Sequence, residues 1–309
     1  MIVQTINLTK RYGKLVALNN LNLTLEEGEC FGYIGPNGAG KTTTIRILAT
    51  LLQPTWGEAR VCGHVVGYES RKIRPLIGYV PDFFGAYEDM VVQEYLEFFA
   101  AAYGITGRKR TQIVGDVLEL TDLTYKRDAL VDSLSRGMKQ RLSIARVLLH
   151  DPRLLLLDEP ASGLDPRARI EIRALLKELH RMGKTILISS HILPELADLC
   201  TSIGILERGE LVYQGSVADV LRRARVGTVV HIRTPDDTER ARQVVQNLPG
   251  VQRAELRDGM VVVSLDHETD DFTFLAQALL SQRLRISEIK QEQVDLETAF
   301  MRLTKGIVQ

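Results

Sequence analysis

The 309-residue sequence carries no excess of charge of either sign: 39 Lys and Arg balance 39 Asp and Glu. A balanced chain offers no electrostatic reason to expect nucleic acid or an anionic membrane surface as partner. Cysteine is scarce and scattered. Cys30, Cys62 and Cys200 lie far apart and match no metal-ligand spacing, which argues against a disulfide framework or a zinc site and fits a reducing compartment. No apolar run approaches the roughly 20 residues needed to span a bilayer. Residues 2–8 alternate polar and apolar with no basic segment leading into an apolar one, so no secretory leader is expected. Two further features are missing: a long coiled-coil pattern, and, beyond residue 221, any grouping of nucleophile, base or metal ligands.

What is present is ordinary globular material, 45% hydrophobic and 25% charged, on a length that suggests two units with separate cores. Residues 3–25 alternate apolar with polar positions, including Leu21, Leu23 and Leu25, and predict antiparallel strands with Gly13 in a turn. A buried-type strand follows over residues 30–34, then a glycine-rich stretch, then a helix over 41–52 that must end before Pro54. Helical patterns fill an insert over about residues 83–150. Val91, Val92, Tyr95, Leu96 and Phe99 form one apolar face, and Ile113, Val117, Leu118 and Leu120 a second. Strand signals return at 154–157 and 185–189, separated by a helix that Asp165 can cap, Pro166 can start and Gly183 can stop. Alternating buried strands and helices predict a mostly parallel sheet and an α/β fold.

Past residue 221 the texture changes to strand, helix, two strands about Asp258-Gly259, helix and strand. That order is the split βαβ arrangement of a small α+β, ferredoxin-like domain, here over 222–309 after a first domain over 1–221. The basic run Arg222, Arg223 and Arg225 between them reads as a solvated linker.

Gly35-Pro36-Asn37-Gly38-Ala39-Gly40-Lys41-Thr42 fits the G-x-x-x-x-G-K-[ST] phosphate-loop pattern, between a strand and a helix as its mechanism requires. Glycines let consecutive N–H groups converge on phosphate oxygens while the helix directs its positive end at the same charge. Lys41 would reach the β- and γ-phosphates and Thr42 would ligate Mg²⁺. Thr43 completes the nucleotide-binding stretch. The strand over 154–157 ends in Asp158-Glu159, two carboxylates at the carboxyl edge of the sheet. Asp158 is expected to hold Mg²⁺ and Glu159 to polarise the attacking water as general base.

With these residues the sequence resembles the nucleotide-binding subunits of ABC transporters. Leu134-Ser135-Arg136-Gly137-Met138 resembles the family's signature motif, Ala161-Ser162-Gly163-Leu164-Asp165 its D-loop, and His191 its switch histidine. The resemblance implies a P-loop NTPase core with an antiparallel β subdomain and a helical insert. It implies two copies facing head to tail, each ATP held between one phosphate loop and the other subunit's Ser135 and Gly137. It also implies separately encoded membrane permeases as partners, a peripheral position on the cytoplasmic face of the membrane, and neither nucleic acid nor a cargo site in this chain. His191 would contact the γ-phosphate, and Tyr12 matches the aromatic that stacks on adenine, although a core tyrosine of the β layer would look similar.

Two positions depart from the family. Asp82 stands where a glutamine is usual; a carboxylate can still accept from Mg²⁺-bound water but lacks an amide donor. Arg136 replaces a common glycine and adds a cation near phosphate or permease. The insert and the closing segment, residues 294–300, resemble exporter-type ATPases with an accessory C-terminal domain, for which a regulatory or dimer-stabilising role is expected. Phe83, Phe84 and Tyr87 read either as a permease-docking groove or as the aromatic core of the insert. Competing readings are a soluble ABC protein that remodels ribosomes or DNA, which usually joins two ATPase units or carries a coiled coil, and a non-hydrolysing nucleotide sensor, which Glu159 and His191 disfavour.

Overall fold

The computed structural model describes residues 1–82, 85, 89–190, 192, 196–224, 228–266 and 271–292. His191, Phe83, Phe84, Tyr87 and the segment 294–300 lie outside them. The chain divides into two units, with the break between Val217 and Ala218.

The first unit begins with the antiparallel layer that alternation predicts. Strands β1 (Val3–Tyr12) and β2 (Leu15–Leu21) pair about Gly13, with Tyr12 opposite Leu15. The short β3 (Thr24–Leu25) and then β5 (Trp56–Val61) also pair with β1, and β6 (His64–Val65) completes the layer. Between them run β4 (Cys30–Ile34) and helix α1 (Lys41–Leu48). The helix stops short of the predicted residue 52 because Thr50 turns left-handed, at φ 63°, and the N–H groups of Leu51 and Leu52 both fold back onto the Arg46 carbonyl.

A short helix α2 (Ser70–Ile73) leads into β7 (Ile77–Val80). The insert then supplies α3 (Val92–Ala102), α4 (Gly107–Leu120) and α5 (Arg136–Leu148). Val92, Tyr95, Leu96, Val117 and Leu118 are buried as their periodicity requires, and Val114 joins them on α4. Glu94 closes the first turn of α3 by accepting from the Val91 N–H at 3.3 Å.

Strand β8 (Leu154–Asp158), helix α6 (Pro166–Arg181), and strands β9 (Thr185–Ser190), β10 (Ser202–Glu207) and β11 (Glu210–Ser216) complete a six-stranded sheet of order β11-β10-β4-β9-β8-β7. All neighbours are parallel except the β10–β11 pair. Leu154, Leu155, Leu156 and Leu157 are all fully buried, as strands covered on both faces must be. Asp165 caps α6 by accepting from the Ala168 N–H at 3.0 Å. The register sets Ile34 beside Ser190 and Asp158 beside Ser189, so β4, β9 and β8 deliver their carboxyl ends to one edge.

Helix α7 (Val217–Ala224) takes in Arg222 and Arg223, where a linker was expected, while Arg225 lies outside the described residues. The second unit is β12 (Val229–Arg233), α8 (Thr238–Gln246), β13 (Val251–Arg257), β14 (Met260–Leu265), α9 (Thr273–Ser281) and β15 (Glu288–Gln291). The sheet order β13-β14-β12-β15 has only antiparallel neighbours. Asp258 and Gly259 both take positive φ in a two-residue hairpin. Val230, Ile232, Val261, Val263, Ala241 and Leu275 form its separate core.

Candidate nucleotide site

The loop after β4 is held tightly at its base and left open at its tip: Gly35, Ala39 and Gly40 are buried while Asn37 and Gly38 are exposed, with Pro36 between. Gly40 takes φ 108°, and a side-chain carbon there would come within 2.6 Å of the Ala17 carbonyl oxygen, so only glycine fits. The Gly209 N–H donates to the Ala39 carbonyl at 2.9 Å and fixes the loop to the β10–β11 turn.

Lys41 opens α1 and is only 5% exposed. Its ammonium donates to the Gly35 carbonyl at 2.6 Å and the Pro36 carbonyl at 3.2 Å, and lies 3.6 Å from Glu159 Oε1. Burial lowers its pKa, and the carboxylates of Glu159 and Asp158 oppose that shift. Thr42 follows, half-buried, and its hydroxyl donates to Asp158 Oδ1 at 3.1 Å. Thr43 is half-buried beside it.

Asp158 is fully buried at the end of β8. Ser189, on the adjacent strand, donates to the same Oδ1 at 2.8 Å, which leaves Oδ2 buried with no protein partner. Burial raises the Asp158 pKa; the hydroxyls of Ser189 and Thr42 pull it back, and the charges of Asp82 and Glu159 add to the rise. A buried carboxylate with one orphaned oxygen, a threonine hydroxyl beside it and further carboxylates near is a donor set suited to a hard divalent cation such as Mg²⁺. Asp82 is exposed at the end of the segment that leaves β7.

Glu159 sits in a left-handed conformation, φ 47°, that a non-glycine residue adopts only under constraint. Its N–H donates to Ser189 Oγ at 3.0 Å and its carbonyl accepts from the Ser162 N–H at 3.0 Å. Ser189 therefore ties the Asp158 carboxylate to the Glu159 backbone, a role that sequence reading passed over. The signal was there: two serines end a strand that is otherwise apolar, Thr185-Ile186-Leu187-Ile188-Ser189-Ser190.

The remaining predicted residues lie at the start of α5 and at the end of β1. Ser135 is the N-cap of α5 and accepts from the Met138 N–H at 3.3 Å, with its side chain exposed. Gly137 is buried because α5 and α6 meet there; a side-chain carbon on it would lie 2.7 Å from Ala168 Cβ. Tyr12 is 48% exposed at the end of β1, with the Lys10 ammonium 5.2 Å from its ring centre. An aromatic left this open is not a core residue of the β layer.

The family model described as "ABC transporter" matches residues 18–162. The chain is 32% identical to the linearmycin resistance ATP-binding protein LnrL of Bacillus subtilis, over 98% of each. It is 39% identical to the Nod factor export ATP-binding protein I of Burkholderia orbicola, over 74% of this chain and 76% of that one. Among solved structures, an ATP-binding subunit of an ABC transporter superposes with a TM-score of 0.65 at 29% identity, covering 72% of this chain and 93% of that one. A dimeric ATP-binding cassette in a post-hydrolysis state with ADP and Pi gives 0.64 at 29% identity, covering 70% and 98%. No described helix is long and apolar enough to cross a membrane. A phosphate loop beside two strand-end carboxylates is what an ATPase requires, and similarity of this extent gives that site a lineage: the chain belongs to the ATP-binding, ATP-hydrolysing subunits of the ABC transporter family.

Proposed function

We propose that the protein works as a homodimer on the cytoplasmic face of a membrane, where binding of two Mg-ATP closes the subunits and hydrolysis reopens them to drive a separate exporter permease. The observation that carries this reading is the convergence of Lys41, Thr42, Asp158, Glu159 and Ser189 at one sheet edge. Lys41 and the loop N–H groups bind and orient the β- and γ-phosphates. Thr42, Asp158 and Asp82 would hold Mg²⁺, which would supply neutralisation of the phosphate charge. Glu159 accepts a proton from the attacking water, with its carboxylate aimed by a backbone held at both ends. His191, outside the described residues, is assigned by resemblance to the γ-phosphate.

Tyr12 supplies an adenine-stacking surface. Ser135 and the N-terminus of α5 present a hydroxyl, N–H groups and a positive helix end to a nucleotide bound by the other copy. The reading as an exporter follows the printed names of the relatives, one for Nod factor export and one for linearmycin resistance. The second unit acts as an accessory domain of ferredoxin-like topology, through contact and not through chemistry.

Size-exclusion chromatography of Glu159→Gln with and without Mg-ATP tests the cycle. An ATP-dependent shift to dimer that Lys41→Ala lacks is the expected result. A shift in both variants, or in neither, would overturn the shared-site mechanism for the isolated subunit.

A further inference from the structure

Arg136 carries its charge in an unfavourable place. It is the first residue of α5, at the positive end of the helix dipole, and no acidic side chain shares that first turn. Its guanidinium is nonetheless packed against a specific neighbour. A side-chain carbon built on Gly163 would fall nearest to Arg136 Nη1, with Cζ at 2.6 Å and Nη2 at 2.8 Å. With Cζ between the two nitrogens in distance, the glycine meets mainly the face of the guanidinium, and a side chain at this position would have to displace the arginine.

Gly163 itself is left-handed, at φ 66°, in the turn between β8 and α6. That turn starts at Glu159. The Ser162 N–H donates to the Glu159 carbonyl at 3.0 Å, the Leu164 N–H to the Ala161 carbonyl at 3.4 Å, and Arg169 Nε to the Leu164 carbonyl at 2.9 Å. A left-handed glutamate is strained and persists only where its surroundings over-determine it. On the amide side Ser189 provides the constraint. On the carbonyl side the constraint is this turn, and Arg136 lies on it.

The geometry points to Arg136 as a positioning residue for hydrolysis: by covering Gly163 it fixes the turn that holds the Glu159 backbone, and so the aim of the carboxylate. The inference rests on Glu159 being the general base. It gives the cation that replaces a glycine a task within its own subunit, distinct from contact with a nucleotide phosphate. The planar face does the work, so a lysine, which keeps the charge without the plane, cannot substitute.

Steady-state phosphate release by the purified full chain with Mg-ATP separates these roles, using Arg136→Gly and Arg136→Lys beside Glu159→Gln. Arg136 is exposed, so both variants should fold, which their melting temperatures would verify. The expected result is a kcat about tenfold lower in both, equivalent to about 1.4 kcal/mol in the barrier, with KM for ATP within about twofold. A raised KM in Arg136→Gly that lysine restores would make Arg136 a phosphate contact and overturn the inference. So would an unchanged kcat in both variants, or recovery of kcat by lysine. If Glu159→Gln turns over as fast as the parent, the general-base reading fails first; if Glu159→Gln is dead and Arg136→Gly is normal, only the positioning role fails.

Discussion

Lys41 and Asp158 are 5% and 0% exposed and each has at least two protein partners, whereas Ser135 at the start of α5 faces solvent with its hydroxyl accepting from the Met138 N–H. The first group is pre-organised inside one chain: strand ends and a loop fix every atom before any ligand arrives. The second is a surface: among the described residues the Ser135 hydroxyl serves as a helix cap and otherwise faces solvent. A buried half and an exposed half of one chemistry are what a composite site between two copies would need, and the most informative experiments are those that separate them.

The largest effect should come from the buried half. Glu159→Gln is expected to lower ATP turnover by about 10³-fold while nucleotide binding persists, whereas Lys41→Ala should lose binding as well; phosphate release and equilibrium nucleotide binding distinguish the two. Ser189→Ala comes next. It deprives the Glu159 N–H of its acceptor and Asp158 Oδ1 of a donor, so turnover should fall about tenfold and stability by about 1–3 kcal/mol, read from kinetics and denaturant midpoints.

Ser135→Ala addresses the exposed half. Losing the cap should cost about 1 kcal/mol, leave ATP binding by the monomer intact, and weaken ATP-dependent dimerisation in the Glu159→Gln background. Weaker binding by the monomer would instead mean that Ser135 serves its own subunit, and the contrast between the halves would collapse.

The smallest effect concerns the scaffold joining the halves. His150, just beyond α5, stacks on Tyr103 at 4.1 Å and bonds through Nε2 to the Ile77 carbonyl of β7 at 2.8 Å, while its Nδ1 is buried without a partner. Burial lowers its pKa from the ordinary 6.5; the Ile77 carbonyl and Asp151 oppose the shift, and Lys184 adds to it. The unfolded chain then binds more protons than the native one as pH falls through 6.5. Stability from this site is present above that value and declines below it. His150→Phe should flatten stability between pH 7 and 5.5, measured by denaturant titration at each pH.

Much of this molecule is legible because its determinants are local. The phosphate loop, the Asp165-Pro166 start of α6 and the Asp258-Gly259 hairpin are each fixed by a few consecutive residues whose backbone preferences leave little choice. Where legibility failed, the cause was usually distance along the chain. Ser189 lies 31 residues from Asp158, and only the parallel register of β8 and β9 brings them together. The early end of α1 is different: it is local, but Thr50 in a left-handed conformation overrides its ordinary preference.

The sequence by itself determined that the chain binds nucleotide phosphate and carries two strand-end carboxylates, because spacing and residue type dictate that chemistry wherever the strand and helix fall. Only the tertiary structure decided how the carboxylates are held and what Arg136 touches. Those depend on strand order and on the close approach of α5 to α6 at Gly137 and Ala168, which arise from packing between segments that no local pattern links.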